Sequence, residues 1–273
     1  MTEDVTINTS RPNAHEIFEQ AAENGRDELK RSTHALAISG LAGGLAMGLT
    51  GMSVAIVRAL LPRGPLTDFF SYFFYPIGFI AVIIGRAQLF TENTLYPVVL
   101  VLTDGRHLRN TLRLWAVVFV SNVAGAFLFA TLAVKAPTLE PKVVEELVRL
   151  GIDMVGASGA TIFWTGVFGG WLIALVAWVV TASQWTIGQV LMVWLLTFIV
   201  GAGHFAHCIA TSNEIIAAVL AGPVPVASFF YWLAIATAGN IIGGVIMVSL
   251  LNWGQVHAGE PTSQQKAKPR RAA

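Results

Sequence analysis

The chain has 273 residues, of which 55% are hydrophobic and only 12% are charged. A soluble domain carries about a quarter charged residues, and several apolar stretches here are long enough to cross a bilayer as a helix. The composition therefore indicates a polytopic membrane protein, and the net charge of +1 gives no indication of nucleic-acid binding. The single cysteine, Cys208, excludes an internal disulfide, and the polar N-terminus predicts no cleavable signal peptide.

In chain order, residues 1–34 are predicted to be a cytoplasmic N-terminal segment that includes an amphipathic surface helix. Residues 35–253 are predicted to be a transmembrane domain, and residues 254–273 a disordered cytoplasmic tail. The domain contains six apolar segments, at about 35–61, 68–103, 111–134, 157–183, 187–222 and 226–253.

The second and fifth segments are too long for one straight helix, because a crossing needs about 20 residues. Polar residues interrupt both segments, in "GRAQLFTEN" and "GHFAHCIATSN". We therefore expect breaks near 86–92 and 204–212. Irregular backbone at this depth is tolerated only where it is buried in protein or lines a water-filled cavity.

Basic residues predict the orientation, because Lys and Arg are enriched in cytoplasmic loops. They occur in the N-terminal segment, in the connection between the second and third segments, and in the C-terminal tail, whereas the 135–156 connection has four acidic residues against three basic ones. If the number of spans is even, the N-terminal segment, the connection between the second and third segments, and the C-terminal tail all lie on the same side of the membrane. We therefore expect a multi-pass protein of the inner (plasma) membrane with both termini cytoplasmic.

The two halves of the chain resemble each other. The matches are "LFTEN" at 89–93 with "IATSN" at 209–213, "SNVAGA" at 121–126 with "GNIIGG" at 239–244, and "AGGLAMGL" at 42–49 with "FGGWLIAL" at 168–175, at offsets of 120, 118 and 126. Three matches in one order at similar offsets predict a repeat of three spans, and an odd number of spans inverts the second copy. The fold class is therefore an all-α membrane protein with six transmembrane helices in an inverted 3+3 repeat, and such repeats place a transport site at their interface.

Thr91 and Thr211 are candidate N-caps for the half-helices that follow the two breaks, and Thr211 with Glu214 matches a capping box. Half-helices that start inside the bundle direct free N–H groups and positive dipole ends inward, which favours an anion. The alternative is that these residues only cap a helix kink.

The motifs "AQLFTENT", "FAHCIAT", "SNVAGA", "GNIIGG" and "GVFGGWLIALVAW" resemble those of the formate/nitrite transporter family. The resemblance covers nearly all of residues 30–253. It implies an aquaporin-like six-helix protomer in a homopentamer, with one pore in each protomer for small monovalent anions. It also implies that His207 is the central pore histidine and that Thr91 faces it.

The chain departs from the family pattern at three positions. Thr165 stands where the family has a lysine in the fourth span, Thr211 where it has an asparagine, and Gln88 where it has an acidic residue. Charges occur instead at Arg86, Glu92 and Glu214, for which we predict an internal network of ion pairs. Our hypothesis is that Arg86 replaces the charge of the missing lysine.

The candidate site follows from these assignments. The predicted substrate-pore residues are His207, Thr91, Thr211, Asn213 and Thr165, and the predicted apolar constrictions are Phe79, Phe90, Tyr75 and Val200. His204 is a possible second pore group, but a packing or interface role is favoured. A metal site formed by His204, His207, Cys208 and Glu214 is disfavoured because adjacent helical residues diverge by about 100°. No metal, cofactor or enzymatic activity is expected.

The predicted function is a channel or transporter for a small monovalent anion such as formate or nitrite, either passive or proton-coupled through His207. Two alternatives stay open. A neutral-solute pore like an aquaporin is disfavoured because paired Asn-Pro-Ala boxes are missing. The other alternative is a non-conducting membrane scaffold or sensor that retains the fold, and the missing fourth-span lysine is the feature that most supports it.

Overall fold

The computed structural model describes residues 12–137 and 139–258, and within these ranges the regular secondary structure is helical. The first half contains helices α1 (Ala14–Lys30), α2 (Thr33–Leu60), α3 (Pro65–Ser71), α4 (Pro76–Ile84), α5 (Tyr96–Asp104) and α6 (Leu108–Lys135). The second half contains α7 (Pro141–Val155), α8 (Gly159–Ala182), α9 (Thr186–Ala202), α10 (Ala210–Ala221), α11 (Val226–Gly244) and α12 (Leu251–Ala258). Short 3₁₀ turns at Tyr72–Phe74 and Glu92–Thr94 and a π-helical turn at Val245–Leu250 complete the chain order.

Six membrane crossings follow from these helices, as the sequence predicts. Five helical stretches are long and apolar enough to span a bilayer, namely Thr33–Leu60, Pro65–Ile84, Leu108–Lys135, Gly159–Ala182 and Val226–Ala258. The fifth crossing in chain order is made by α9 and α10, which are each shorter than a full span. The protein is therefore a multi-pass membrane protein with broken second and fifth spans.

Helix α1 begins with a complete capping box. The Asn13 side chain accepts a hydrogen bond from the Glu16 N–H at 3.0 Å, and the Glu16 carboxylate accepts one from the Asn13 N–H at 2.7 Å. The helix buries one face, including Phe18 and Leu29, and packs against α5. Helix α1 therefore lies at the same end of the bundle as the second half of the broken second span.

Close glycine contacts join the first and third spans of each repeat. An added Cβ on Gly44 of α2 would lie 2.0 Å from the Asn122 carbonyl oxygen of α6, and one on Gly170 of α8 would lie 2.1 Å from the Asn240 carbonyl oxygen of α11. Only glycine permits backbones to approach this closely, as small residues do at many membrane-helix contacts. Gly170 lies 126 positions after Gly44, which is the offset of the "AGGLAMGL" and "FGGWLIAL" match.

Two predictions about the connections need correction. The 135–156 connection, treated from sequence only as a loop, contains α7, whose buried Val143, Leu147 and Leu150 pack it against α10 and α2. Residues 254–258 of the predicted disordered tail are helical because α12 extends to Ala258. The remainder of that tail, from 259, and residues 1–11 of the N-terminal segment lie outside the described residues.

Candidate functional site

Two irregular segments interrupt the second and fifth spans, as predicted. The first runs from Gly85 to Leu95 and the second from Gly203 to Ile209, so the second is shorter than predicted because α10 already begins at Ala210. Both segments start with a residue in the left-handed region, Arg86 at φ 58° and His204 at φ 52°. These two residues lie 118 positions apart, so the repeat includes the backbone of the breaks.

Two asparagines hold the breaks in place with matching hydrogen bonds. Asn122 accepts from the Phe90 N–H at 2.9 Å and donates to the Gly40 and Gln88 carbonyls. Asn240 accepts from the Cys208 N–H at 2.8 Å and donates to the Gly166 and Ala206 carbonyls. Each side chain thus satisfies an N–H and a carbonyl of one break, as buried irregular backbone requires, and ties that break to a carbonyl of a neighbouring helix.

These bonds correct the repeat register at the breaks. Asn240 lies 118 positions after Asn122, and Cys208 lies 118 positions after Phe90. By this register Thr91 is equivalent to Ile209 and not to Thr211. The offset of 120 for "LFTEN" and "IATSN" is therefore wrong by two residues, and the likeness of these two motifs is local.

Thr91 and His207 meet in the middle of the bundle. The Thr91 Oγ1 lies 2.8 Å from the His207 Nε2, and both residues are buried. The His207 Nδ1 accepts a hydrogen bond from the Ala210 N–H at 3.0 Å. An N–H can only donate, so the neutral imidazole carries its hydrogen on Nε2 and donates it to Thr91. The Thr91 hydroxyl hydrogen is consequently free for another acceptor.

The predicted threonine caps are not observed. Helix α10 begins at Ala210 with Ile209 as N-cap and without a side-chain cap, so Thr211 lies inside the first turn and forms no capping box with Glu214. Thr91 precedes only a 3₁₀ turn, and its side chain caps nothing there. His207 provides a capping acceptor for α10 instead, a role that the sequence rules for N-caps do not include.

A cavity of about 310 Å³ opens on one side of the Thr91–His207 contact, and we call it the α7-side vestibule. The cavity lining includes Tyr75, Val200, Thr211 and Glu214 from the predicted set. Phe79 lies next to this lining, and its ring centroid is 5.1 Å from that of His207. The vestibule therefore leads from α7 towards the buried histidine.

The α7-side vestibule also contains a polar cluster that sequence reasoning missed. The Arg58 Nη2 lies 3.0 Å from the Tyr72 hydroxyl and 3.3 Å from an Asp68 carboxylate oxygen, and the Tyr72 hydroxyl lies 3.2 Å from the His204 Nδ1. Arg58 stands near the end of an apolar span, where a basic residue ordinarily anchors the helix at the interface. The available signal was the polar pair Asp68 and Tyr72, which stands 10 and 14 positions after Arg58 at the start of the second apolar segment.

A second cavity, of about 210 Å³, lies on the other side of the contact, and we call it the α1-side vestibule. Arg86, Glu92, Gln88 and Glu28 contribute to its wall. The predicted network of Arg86, Glu92 and Glu214 is therefore wrong as a single cluster, because Glu214 lines the opposite vestibule. The inverted repeat causes this separation, since the half-helices after the two breaks run to opposite ends. Among residues 12–137 and 139–258, Arg86 forms no ion pair.

Besides Thr91, His207 and Phe79, which meet between the two vestibules, three predicted site residues lie outside both linings. The Thr165 hydroxyl donates to the Thr161 carbonyl of its own helix at 2.7 Å, and the buried Asn213 amide donates to the Ile209 carbonyl at 3.0 Å. The Phe90 ring packs on Phe119, at 5.0 Å between centroids, because its N–H is bound to Asn122 on the same helix, α6. The side chains of these three residues bond or pack within the protein, and a role for them in the pore stays a prediction.

Comparison with known proteins supports one family. The sequence model of the family described as "Formate/nitrite transporter" matches residues 15–254. The chain is 30% identical over 260 residues to "Inner membrane protein YfdC" of Escherichia coli (strain K12), covering 94% of this chain and 83% of that protein.

The chain superposes with a TM-score of 0.79 on an "FNT family ion channel" at 18% identity, over 90% of this chain and 100% of the other. It superposes with a TM-score of 0.71 on a "Pentameric formate channel with formate bound" at 17% identity, over 83% and 98%. Because the family model spans most of the chain and agrees with the inverted repeat and its two broken spans, this protein belongs to the formate/nitrite transporter family.

Proposed function

We propose that this protein is a channel for small monovalent anions of the formate and nitrite type, with one pore in each chain. The observation that carries the proposal is the Thr91–His207 contact, buried between two vestibules where the two broken spans meet. The matched family and the solved formate channel with this fold support the choice of substrate class.

The path begins in a vestibule and narrows towards the histidine. An anion that enters from the α7 side passes Tyr75 and Val200, loses water there, and reaches the ring of Phe79 beside His207. Desolvation of an anion is costly unless hydrogen bonds replace the water. The Thr91 hydroxyl hydrogen is the free donor at this point, and the Nε2 hydrogen of His207, donated to Thr91, holds that hydroxyl in position.

The geometry gives His207 the role of a hydrogen-bond donor. Its Nδ1 is occupied by the Ala210 N–H, so a second proton on the ring would break that bond and leave the first N–H of α10 unpaired. We therefore favour passive conduction past His207 over a proton relay through its ring.

Assembly and orientation belong to the same proposal. We infer a homopentamer in which the central axis is not the substrate path, since the pore described above lies within one chain. The solved formate channel of similar fold is pentameric. The basic residues of the termini favour a cytoplasmic location for both, and the inner-membrane relative favours the inner membrane.

The test is flux through purified protein in liposomes. We expect protein-dependent uptake of formate or nitrite, and we expect His207→Phe to reduce it by on the order of tenfold or more, since the buried Thr91 hydroxyl would lose the partner that orients it and an unpaired buried group costs about 1–3 kcal/mol. His204→Ala is the matched control, because His204 contacts Tyr72 in the vestibule and not Thr91, and we expect a smaller effect.

Each other outcome excludes part of the proposal. Equal loss from both substitutions, or loss only from His204→Ala, contradicts the central role of His207. Uptake of water or glycerol without anion uptake supports a neutral-solute pore, and no uptake of any solute supports a non-conducting scaffold.

A further inference from the structure

Glu214 is a buried carboxyl group without a partner. Its residue is 5% exposed, it lines the α7-side vestibule, and within the described part of the chain its carboxylate makes neither a hydrogen bond nor an ion pair. A buried charge that no partner or water compensates is strongly unfavourable. The charge of this carboxyl group must therefore be compensated from within the vestibule.

The arginines of this vestibule are already engaged elsewhere. Arg58 pairs with Asp68 at 3.3 Å, and Arg63 pairs with Glu146 at 2.9 Å. Arg149 pairs with Glu145 at 3.2 Å. On α6, which also packs against α10, Lys135 donates to the Leu220 carbonyl at the far end of α10.

The other titratable groups that face Glu214 do not compensate it. His204 contacts the Tyr72 hydroxyl, and Tyr75 is a neutral phenol in the same wall. Asp153 of α7 is exposed and adds a further negative charge to the cavity. Among the described residues the cavity wall thus offers Glu214 further negative charge and no cation within ion-pair distance, since Arg58 acts on its carboxyl group only from longer range.

Thr211 supplies a second unused group beside Glu214. The two residues are three positions apart on α10, so they share a helix face, and both line the vestibule. In the described ranges the Thr211 hydroxyl has no hydrogen-bond partner in the protein. The pair therefore presents one hydroxyl donor and one carboxyl group to a molecule that enters towards His207.

We propose that Thr211 and Glu214 form a protonation site for the permeating anion, in which Thr211 orients a small weak-acid anion and Glu214 transfers a proton to it. The O–H bond of the Glu214 carboxylic acid breaks and an O–H bond forms on the substrate oxygen. The substrate becomes the neutral acid, and Glu214 becomes a carboxylate that regains a proton from the external solution through the water of the vestibule. This inference rests on the proposed anion channel and names the residue that couples it to protons.

A proton explains the surroundings better than a metal cation does. A bound Na⁺ or Ca²⁺ needs several oxygen ligands, as hard cations do, and in the described ranges the cavity offers only the Glu214 carboxyl, the Thr211 hydroxyl and the exposed Asp153 carboxylate as unpaired oxygen groups. A neutral carboxyl group is also compatible with an anion nearby, whereas a permanent carboxylate would repel it. The neutral acid then crosses the apolar stretch at Phe79 without the cost of desolvating a charge.

The test compares anions of weak and strong acids in proteoliposomes held at zero membrane potential. Formate uptake is measured with radiolabelled formate, and the internal pH is measured with a trapped dye. Nitrate serves as the anion that is not protonated. The uptake into protein-free liposomes is subtracted. We expect wild-type formate uptake to acidify the interior and to rise as external pH falls. Glu214→Gln should lose both the acidification and the pH dependence. Glu214→Ala, a variant of different side-chain volume, should lose both as well.

Asp153→Asn is the matched control, because it removes an exposed carboxylate from the same cavity but leaves Thr211 and Glu214 in place, and it should retain the acidification and the pH dependence even where the uptake rate changes. Thr211→Val should raise the formate concentration that gives half-maximal uptake. Unchanged acidification in both Glu214 variants overturns this inference but leaves the anion channel standing, and so does an absolute requirement for Na⁺ in wild-type uptake. Absence of any wild-type anion uptake overturns the proposed function itself, and this inference with it.

Discussion

At the scale of single residues, the central question is which group supplies positive charge to an anion path. Thr165, at the position of the missing lysine, binds its own helix and lines neither vestibule. Arg58 is engaged by Asp68 and Tyr72. Arg86 is the cation that remains in the α1-side vestibule, exposed and without an ion pair in the described residues.

Arg86 should therefore set the field at the α1-side mouth. We predict that Arg86→Gln lowers anion uptake several-fold and weakens its dependence on ionic strength, because a focused positive field raises local anion concentration by about 10-fold or more. Uptake rates at low and high salt measure both effects. Lys30→Gln is the control, since it removes a positive charge that is exposed on α1 and paired with Asp27.

The Arg86 hypothesis has a second arm. Arg86→Lys should retain most of the uptake, and adding Thr165→Lys to Arg86→Gln should restore part of it if a fourth-span lysine can serve the same path. Unchanged uptake by Arg86→Gln in a protein that still assembles contradicts the hypothesis.

Sequence analysis located some side chains of the candidate site and not others, for a physical reason. Thr91 and His207 meet as the family resemblance implies. Phe90, one residue before Thr91, turns away towards α6. Side-chain direction follows a simple period only in a regular helix, so within irregular segments the hydrogen bonds of the backbone decide it. Those bonds depend on Asn122, a residue 32 positions further along the chain.

At the scale of helices and breaks, two asparagines perform the same task in the two repeats. Asn122 and Asn240 are both buried, and each makes three hydrogen bonds that tie a break to the first and third spans of its repeat. The breaks carry the groups that face the path, so the asparagines fix the geometry of the candidate site without being part of its surface.

We predict that Asn122→Leu and Asn240→Leu each lower the stability of the protein by about 2–5 kcal/mol, because an N–H and a carbonyl of the break lose their partners at about 1–3 kcal/mol each. Thermal unfolding in a mild detergent measures the change. Asn252→Leu is the control, because Asn252 is half-buried and makes one bond, to the Val248 carbonyl. A melting temperature of either variant equal to that of the control would show that the asparagine bonds do not hold the breaks.

The breaks themselves could be predicted because a continuous apolar helix gains nothing from a cluster of polar side chains at bilayer depth, whereas an irregular backbone needs them as hydrogen-bond partners. Their ends could not be predicted, since Thr211 has the features of an N-cap but lies inside α10. A local bond from His207, three residues before Ala210, and a tertiary bond from Asn240 take the place of the threonine cap. Helix α7 was missed because its apolar residues are too few for a span and were read with the loop charges.

At the scale of the whole molecule, the outer surface of the chain is strongly apolar. Large side chains such as Val120, Trp164, Ile187 and Phe230 are more than half exposed in the single chain. In a bilayer such a surface contacts lipid or neighbouring copies, and exposed apolar area alone does not distinguish the two.

We predict that native mass spectrometry from a mild detergent finds five copies of the 29.3 kDa chain. We expect five copies because a solved channel of the same fold is pentameric. A harsher detergent should dissociate the complex and serve as the control for specific assembly. Only monomers under mild conditions, from protein that still unfolds cooperatively, would contradict the pentamer.

The overall fold could be predicted from short internal matches because the same packing contact was needed twice. Gly44 and Gly170 occupy equivalent contacts, as do Asn122 and Asn240. Where the two copies no longer share a contact, as at Thr211 and Thr91, the sequence likeness was misleading. The repeat therefore predicts the scaffold well and the chemistry of each vestibule poorly.

At Arg86 and His204 the left-handed backbone conformation lowers the stability of the protein, whereas the side chain contributes to the vestibule wall. Glycine adopts this conformation without a steric penalty, whereas a residue with a side chain does so at a cost of about 1–2 kcal/mol. The residue best suited to the backbone would therefore remove a side chain from the wall of each vestibule. Selection of variants for heat resistance alone would favour glycine at both positions, and the more stable protein would have lost a vestibule-lining side chain at each break.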